Sequence, residues 1–522
     1  MAEPIPAEVV ITQESRKPEV DPTLGIEVKP DRHGEPRHRL VTIGDSLTHG
    51  FQSGSVFHTD ISYPAIIAYE LGWLDSFRYP TYDGFGGLPL NIELLLRELE
   101  QSCGRSVDWW EAPLALFRAR QFMGDVESYW ERGPGSVTPP FPAINHNLAM
   151  YGWDLRDALS VTGAECAAKI KVPKDNFFKQ AVQNSSERAA LRVYPMAVDA
   201  NMTVFDAAVA LGAENGDAEA GIETLIVFLG ANNVLPSVVQ LKVAWSGDDY
   251  ADPAAKGAYT VWRPSHFAAE LREVAEQVRR INARHVIWCT VPHVTIVPLA
   301  RGVGGGKVAL GSRYFQYYTR PWITDAQFSP TRDPHLTADE ARAVDCAVDQ
   351  YNDAITDVVR EARGDQDQPR NWYLLDVAGI LDRLAQRRYI DDPLARPSWW
   401  TPHPLPPQLD ALTPQPDSQF ISSDGTRRDR GGLFSLDGVH PTTVGYGILA
   451  QEFIKVMHLA GVEFRNPDSS CRPGTPAVDF DRVIRRDTLV TTPPAVIDSS
   501  LGIVSWADEA LDVVRRTLTF HF

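Results

Sequence analysis

The chain has 522 residues, 43% hydrophobic and 23% charged, with a formal net charge of −18. Such a composition buries a sizeable core, which excludes wholesale disorder. The acidic balance repels polyanions, so no nucleic-acid partner is expected. No stretch approaches the roughly 18 unbroken apolar residues of a membrane helix, so no integral membrane segment is expected. Residues 1–20 lack a basic stretch followed by an apolar run, as a secretory signal would have. Five widely spaced cysteines (Cys103, Cys166, Cys289, Cys346, Cys471) show no CxxC pair. They read as reduced thiols and point to the cytoplasm.

In chain order, residues 1–37 are polar and Pro-rich and read as a loose N-terminal arm. Arg39–Ile43 (RLVTI) is a continuous apolar run, the pattern of a strand buried on both faces. Ser62–Gly72 predicts a helix with Pro64 near its start. Residues 76–143, with Gly84, Gly86, Gly87 and GPGSVTPPFP, break the pattern and read as a surface insertion. Thr224–Leu229 (TLIVFL) is a second buried strand, and the polar stretch 235–262 a second insertion. Arg263–His285 predicts an amphipathic helix, leading into a third strand, His285–Val291.

Leu336–Gly364 predicts a long helix opened by a Thr337/Glu340 capping box. Its Val344, Ala347, Val348, Tyr351 and Ile355 fall on one face. Trp372–Val377 is a fourth strand. The Pro-rich stretch 389–420 reads as a third insertion. Residues 38–470 thus form one domain, and 471–522 a C-terminal extension with one helix, Ser505–Arg516. Alternating strands and helices predict a parallel sheet covered on both faces.

Four blocks carry chemistry. Gly44-Asp45-Ser46-Leu47 follows the first strand, where a turn exposes the Ser46 hydroxyl at the sheet's carboxyl edge; the same Ser46 fits a helix N-cap. Asn147–Leu155 (NLAMYGWDL) contains Gly152, which offers an unhindered backbone N–H. Gly86-Gly87 is a rival for that role. Gly230-Ala231-Asn232-Asn233 ends the second strand and presents the neutral amide of Asn232, or simply a Gly/Asn turn. Asp437-Gly438-Val439-His440-Pro441 lets a carboxylate fold back on an imidazole, or forms an Asx turn with an exposed His.

Other signals carry less. Gly302–Gly306 (GVGGG) lacks the Lys-Ser/Thr of a phosphate loop and reads as a flexible loop. His49, His58, His146, His293 and His335 show no metal-ligand spacing, so no metal and no cofactor is expected. The pairs Trp109-Trp110 and Trp399-Trp400 line a groove or pin the insertions.

Together, GDSL, NLAMYG, GANN and DGVHP resemble the four blocks of the SGNH hydrolases, the GDSL lipases and esterases. The resemblance spans roughly residues 38–465, block by block. It implies a flavodoxin-like α/β/α three-layer sandwich and a serine esterase or lipase-like hydrolase acting on a small-molecule, lipid or carbohydrate ester. Carried over by motif, Ser46 is the nucleophile, His440 the base and Asp437 its orienter. Ser46 N–H, Gly152 N–H and the Asn232 amide form the oxyanion hole, and Asp45 shapes the turn. Asn233 stands where the family usually has Asp. The three insertions are expected to wall or cover the site, with 389–420 setting substrate size. Acyl transfer with the same residues, or a silent binding module, are the alternatives.

Overall fold

The computed structural model describes residues 4–29, 36–108, 110–138, 143–171, 182–194, 199–214, 221–466, 468, 470 and 472–500. Trp109, Cys471 and the expected helix Ser505–Arg516 lie outside the described residues.

The four apolar runs are four parallel strands of one sheet: β1 (His38–Gly44), β2 (Ile222–Phe228), β3 (Ala283–Cys289) and β4 (Trp372–Leu375), hydrogen-bonded in that order. Leu40, Val41, Leu225, Ile226, Val286 and Ile287 are successive residues buried on both faces, which is why the runs do not alternate. Beyond β1, Asn147 bridges Thr42 in parallel. With that bridge counted second in the chain, the spatial order is 2-1-3-4-5. Its switch point falls at the carboxyl end of β1, where doubly wound sheets open a crevice.

Helices α1 (Ser46–His49) and α2 (Tyr63–Glu70) follow β1, and α3 (Ile92–Cys103) and α4 (Ala112–Glu131) come next. Farther along are α5 (Val204–Ala213), α6 (Pro264–Arg279), α7 (Ala338–Gly364), α8 (Val377–Leu384) and α9 (Thr443–Leu459). Helices α2 and α9 cover one face of the sheet, with the Tyr63 and Phe453 rings stacked at 4.8 Å. Helices α5, α6 and α7 cover the other, where Phe267 stacks on Tyr351 at 4.1 Å. The result is an α/β/α sandwich. The α7 capping box is formed, with Glu340 N–H donating to Thr337 Oγ1 at 3.3 Å and Thr337 N–H to Glu340 Oε2 at 2.8 Å. All five residues of its apolar face are buried.

Several expectations change. Helix α6 stops at Arg279, not His285, because pairing of Ala283 and His285 with β2 draws that stretch into β3. Residues 76–143 hold α3 and α4. Leu96, Leu99 and Ala115 build a small second core with Ile421, Leu436 and Val496; the Pro/Gly-rich flanks masked this pattern. The stretch 235–262 is not a surface insertion, for Val238, Val239, Val261 and Trp262 are buried. Gly302–Gly306 lies in a strand, Arg301–Lys307, paired with Phe315–Thr319. A Cβ at Gly302 would lie 2.2 Å from the Phe315 ring, so glycine permits the close pairing.

The arm is not loose. Residues 4–29 lack helix and strand, but Val9 joins the core and Arg16 pairs with Asp376 at 2.8 Å. Leu374 N–H donates to Pro22 O at 2.9 Å, covering the free edge of β4. In the third insertion Trp400 is buried, and its Nε1–H donates to Asp382 O at 3.0 Å, so this Trp pins its loop to the body. Cys103, Cys166, Cys289 and Cys346 are unpaired thiols.

Candidate functional site

Strand β1 ends at Gly44 because the chain must fold sharply back into α1. A Cβ there would sit 2.1 Å from Thr48 Oγ1 and 2.9 Å from Phe228 O. Asp45, not Ser46, is the N-cap: its Oδ1 accepts Leu47 N–H at 3.0 Å. Ser46 is therefore the first helical residue, whose N–H has no intrahelical acceptor. Gly50, at φ +92°, ends α1 after one turn.

This single turn is held rigidly. Thr48 Oγ1 lies 2.9 Å from Tyr63 OH, and Asn147 Nδ2 donates to Thr48 O at 3.0 Å. Tyr151 N–H donates to His49 Nδ1 at 3.2 Å, so the other nitrogen, Nε2, donates to Tyr82 OH at 2.8 Å. Burial pushes the His49 pKa down to about 3, and the ring stays neutral.

The loop before α9 carries the other partners. His440 Nε2 lies 2.8 Å from Ser46 Oγ, and His440 Nδ1 lies 3.0 Å from Asp437 Oδ2. Asp437 Oδ1 accepts Val439 N–H at 2.9 Å and His440 N–H at 2.8 Å, and Oδ2 accepts Gly54 N–H at 3.0 Å. The Asx turn offered by the sequence is thus present, but it turns His440 inward to 1% exposure. Burial alone raises the Asp437 carboxyl. The facing His440, with the His440 and Gly54 N–H groups, outweighs burial, and the pKa is lowered. An ionised Asp437 takes the Nδ1 proton as its hydrogen bond and leaves the Nε2 lone pair toward the Ser46 hydroxyl.

Asp45 behaves differently. Burial raises its carboxyl to about 7, against the pull of Leu47 N–H and His440, and its Oδ2 has no hydrogen-bond partner.

At the end of β2, Gly230 (φ +118°) turns the chain into the short helix Ala231–Asn233. The half-buried Asn232 donates through Nδ2 to Trp153 O at 2.9 Å, beside Gly152 at φ +77°. Asn233 faces inward. Its Oδ1 accepts Leu155 N–H at 3.4 Å, while its Nδ2 is unpartnered. Gly86 and Gly87 have a packing role: a Cβ on Gly87 would lie 1.9 Å from Val56 O, and Gly86 O accepts Ser55 Oγ–H at 3.1 Å.

Ser46 and His440 open onto an apolar cleft of about 120 Å³. Its walls include Val294 and Val297 after β3, Leu381 and Leu384 of α8, and Ile448 and Leu449 of α9. Among the described residues, 76–143 and 389–420 contribute no lining, and 235–262 contributes only Leu235. The expected walling by the insertions is thereby corrected. Helix α8 after the fourth strand and helix α9 after the His440 loop line the cleft instead.

The sequence did not single out Gly54 or this cleft. Gly54's signal was the Ser53-Gly54 dipeptide. Both residues have positive φ (47° and 82°), the turn that lets Phe51-Gln52 pair with Ser55-Val56. The cleft lining comes from four segments and has no local signature.

Of the scattered histidines, His146 Nε2 meets His38 Nδ1 at 3.0 Å, and His293 sits between Asp382 (3.1 Å) and Asp349 (3.0 Å). Among the described residues no group of three or more His, Cys, Asp or Glu is arranged to hold a metal ion. Nor is any described helix long and apolar enough to cross a membrane. Comparisons of the chain with protein-family models and with curated protein sequences find no match.

Proposed function

We propose that the protein is a serine esterase of the SGNH type, hydrolysing carboxylic esters through an acyl-enzyme on Ser46. The observation that carries this reading is the continuous chain from Ser46 Oγ to His440 Nε2 (2.8 Å) and from His440 Nδ1 to Asp437 Oδ2 (3.0 Å). A hydroxyl, a base and an orienting carboxylate in hydrogen-bond sequence are what nucleophilic acyl transfer needs.

In this mechanism His440 Nε2 takes the Ser46 proton as Oγ attacks the ester carbonyl. The negative oxygen is held by Ser46 N–H, Gly152 N–H and the Asn232 amide. His440 then gives its proton to the departing alkoxide. Water deprotonated by His440 attacks the acyl-enzyme and releases the acid, restoring Ser46. The acyl chain occupies the apolar cleft. At about 120 Å³, the cleft is near the size of engineered apolar cavities of roughly 150 Å³ that hold benzene, so short acyl groups fit best.

The test is a panel of p-nitrophenyl esters from short to long acyl chains, with fluorophosphonate labelling of the folded protein. Ser46 should be labelled and the short esters turned over. Folded protein that neither labels nor hydrolyses any ester would overturn the proposal.

A further inference from the structure

A second cavity, of about 370 Å³, borders the apolar cleft at Val297. Its walls include the paired strands Arg301–Lys307 and Phe315–Thr319 and the turn Gln386–Ile390. Its charge runs against the rest of the chain. The protein carries −18 overall, yet among the described residues five arginines line this cavity (Arg301, Arg313, Arg387, Arg388 and Arg430) against one acid, Asp498. Gathering guanidinium groups in this way is unfavourable without anions to face them.

Two of the five are neutralised. Arg388 pairs with Asp345 at 2.9 Å and Arg301 with Asp325 at 3.2 Å. The other three form no ion pair among the described residues, although Asp345 attracts Arg313, and Asp325 and Asp391 attract Arg387, from farther away. Arg387 donates to the neutral Gly302 carbonyl at 2.8 Å, and Arg430 is exposed at the rim. Arg313 is the telling one. It is only 7% exposed, its Nε and Nη2 have no hydrogen-bond partner, and it faces the Tyr314 ring at 5.0 Å. A buried guanidinium with unsatisfied donors is costly, and an anion in the cavity relieves that cost.

We infer that this cavity is a binding site for a small molecule bearing a phosphoryl group. The charge count selects that class. Three arginines without an ion pair, against Asp498 among the described lining residues, leave the cavity net positive, and a phosphoryl group carries about −1.5 to −2 at neutral pH. Guanidinium forks also match its oxygens in geometry. The volume lies within the roughly 300–1,000 Å³ of small-molecule sites and exceeds what a bare phosphate fills. The phosphoryl group belongs either to a separate ligand or to an ester substrate that reaches past Val297 to Ser46. The site itself does not depend on the chemistry proposed for Ser46.

The test is calorimetric titration of the full-length protein with inorganic phosphate and with pyrophosphate, using chloride at matched ionic strength as control. Saturable binding is expected. Arg313→Met and Arg430→Gln should each weaken it at least about tenfold, the loss of one charge-assisted contact. Arg430 is exposed, so its variant carries the test if Arg313→Met fails to fold. No saturable binding of either anion, or unchanged binding in folded Arg430→Gln and Arg313→Met, would overturn the inference. Kinetics then separate the sources. A KM that rises in Arg430→Gln only for a phosphorylated ester assigns the group to the substrate. Unchanged KM values alongside lost phosphate binding assign it to a separate ligand.

Discussion

Gly54 donates its backbone N–H to Asp437 at 3.0 Å, on the same Oδ2 that faces His440 Nδ1. The carboxylate is therefore aimed by a turn 383 residues away in sequence. Gly54 has φ +82°, and a Cβ there would lie 2.7 Å from Leu90 O. Gly54→Ala should shift this turn and weaken the contact. A charge-assisted hydrogen bond contributes about 1.5–3 kcal/mol, so kcat on an activated ester should fall roughly ten- to a hundredfold. Circular dichroism checks the fold; a wild-type kcat would show that Asp437 needs no such support.

In the proposed mechanism Ser46 and His440 act as one unit, so their losses should not add. Ser46→Ala, His440→Ala and the double variant should each lose nearly all turnover to a similar floor. Substantial turnover in folded Ser46→Ala would remove Ser46 from the mechanism.

Asn232 is a separate element. Its amide is anchored at Trp153 O, next to Gly152. In the proposed mechanism Asn232→Ala removes one donor to the developing oxyanion and should cost about a hundred- to a thousandfold in kcat. KM should change little, because the charge exists only in the transition state. A loss confined to KM would point to substrate binding instead.

The sheet was legible because burial on both faces leaves continuous apolar runs, as in Arg39–Ile43 and Thr224–Leu229. The block residues were legible because strand ends and tight turns restrict which residues fit. The walls were not. Leu381 and Leu449 lie on helices α8 and α9, about 70 residues apart in the chain, and only the fold brings both to the cleft beside Ser46. Helices α3 and α4, of 12 and 20 residues, were missed because the Gly- and Pro-rich flanks drew the whole stretch 76–143 toward a surface insertion. Composition pointed the wrong way at 235–262, where a polar stretch carries widely spaced residues such as Val239 and Trp262 into the core.

Asp45 gives a pH-dependent prediction. Its carboxyl has an ordinary value of 3.8 and is raised by burial to about 7 in the folded protein. Between those values the unfolded chain releases the proton while the folded protein keeps it. This group's stabilising contribution is therefore fully present below about pH 4, is lost as pH rises to 7, and is level above that. A shift of this size corresponds to at most about 4 kcal/mol. Asp45→Asn keeps an oxygen for Leu47 N–H and removes the titration. Relative to wild type, its stability should improve steadily from pH 4 to 7, as urea midpoints would record. A difference that stays constant across that range would contradict the raised pKa.

The apolar cleft sets the last prediction. Leu381 is half-buried on α8 and lines the cleft beside Ile448 and Leu449, whereas Leu394 sits exposed in the Pro-rich insertion and lines nothing near Ser46. Leu381→Trp fills volume that an acyl chain would occupy. Because the residue is not fully enclosed, the larger ring can be accommodated at a cost of about 1–3 kcal/mol, typical of overpacking. The variant should keep its activity on acetyl esters and lose activity progressively as the acyl chain lengthens. The effect should appear mainly in kcat/KM, because the chain's burial contributes about 0.8 kcal/mol per methylene and is lost when the cleft is blocked. Leu394→Ser should leave the profile unchanged. The measurement is kcat/KM across a p-nitrophenyl ester series for wild type and both variants. If Leu394→Ser shifts the preference and Leu381→Trp does not, the acyl chain lies against the insertion and not in the cleft between α8 and α9.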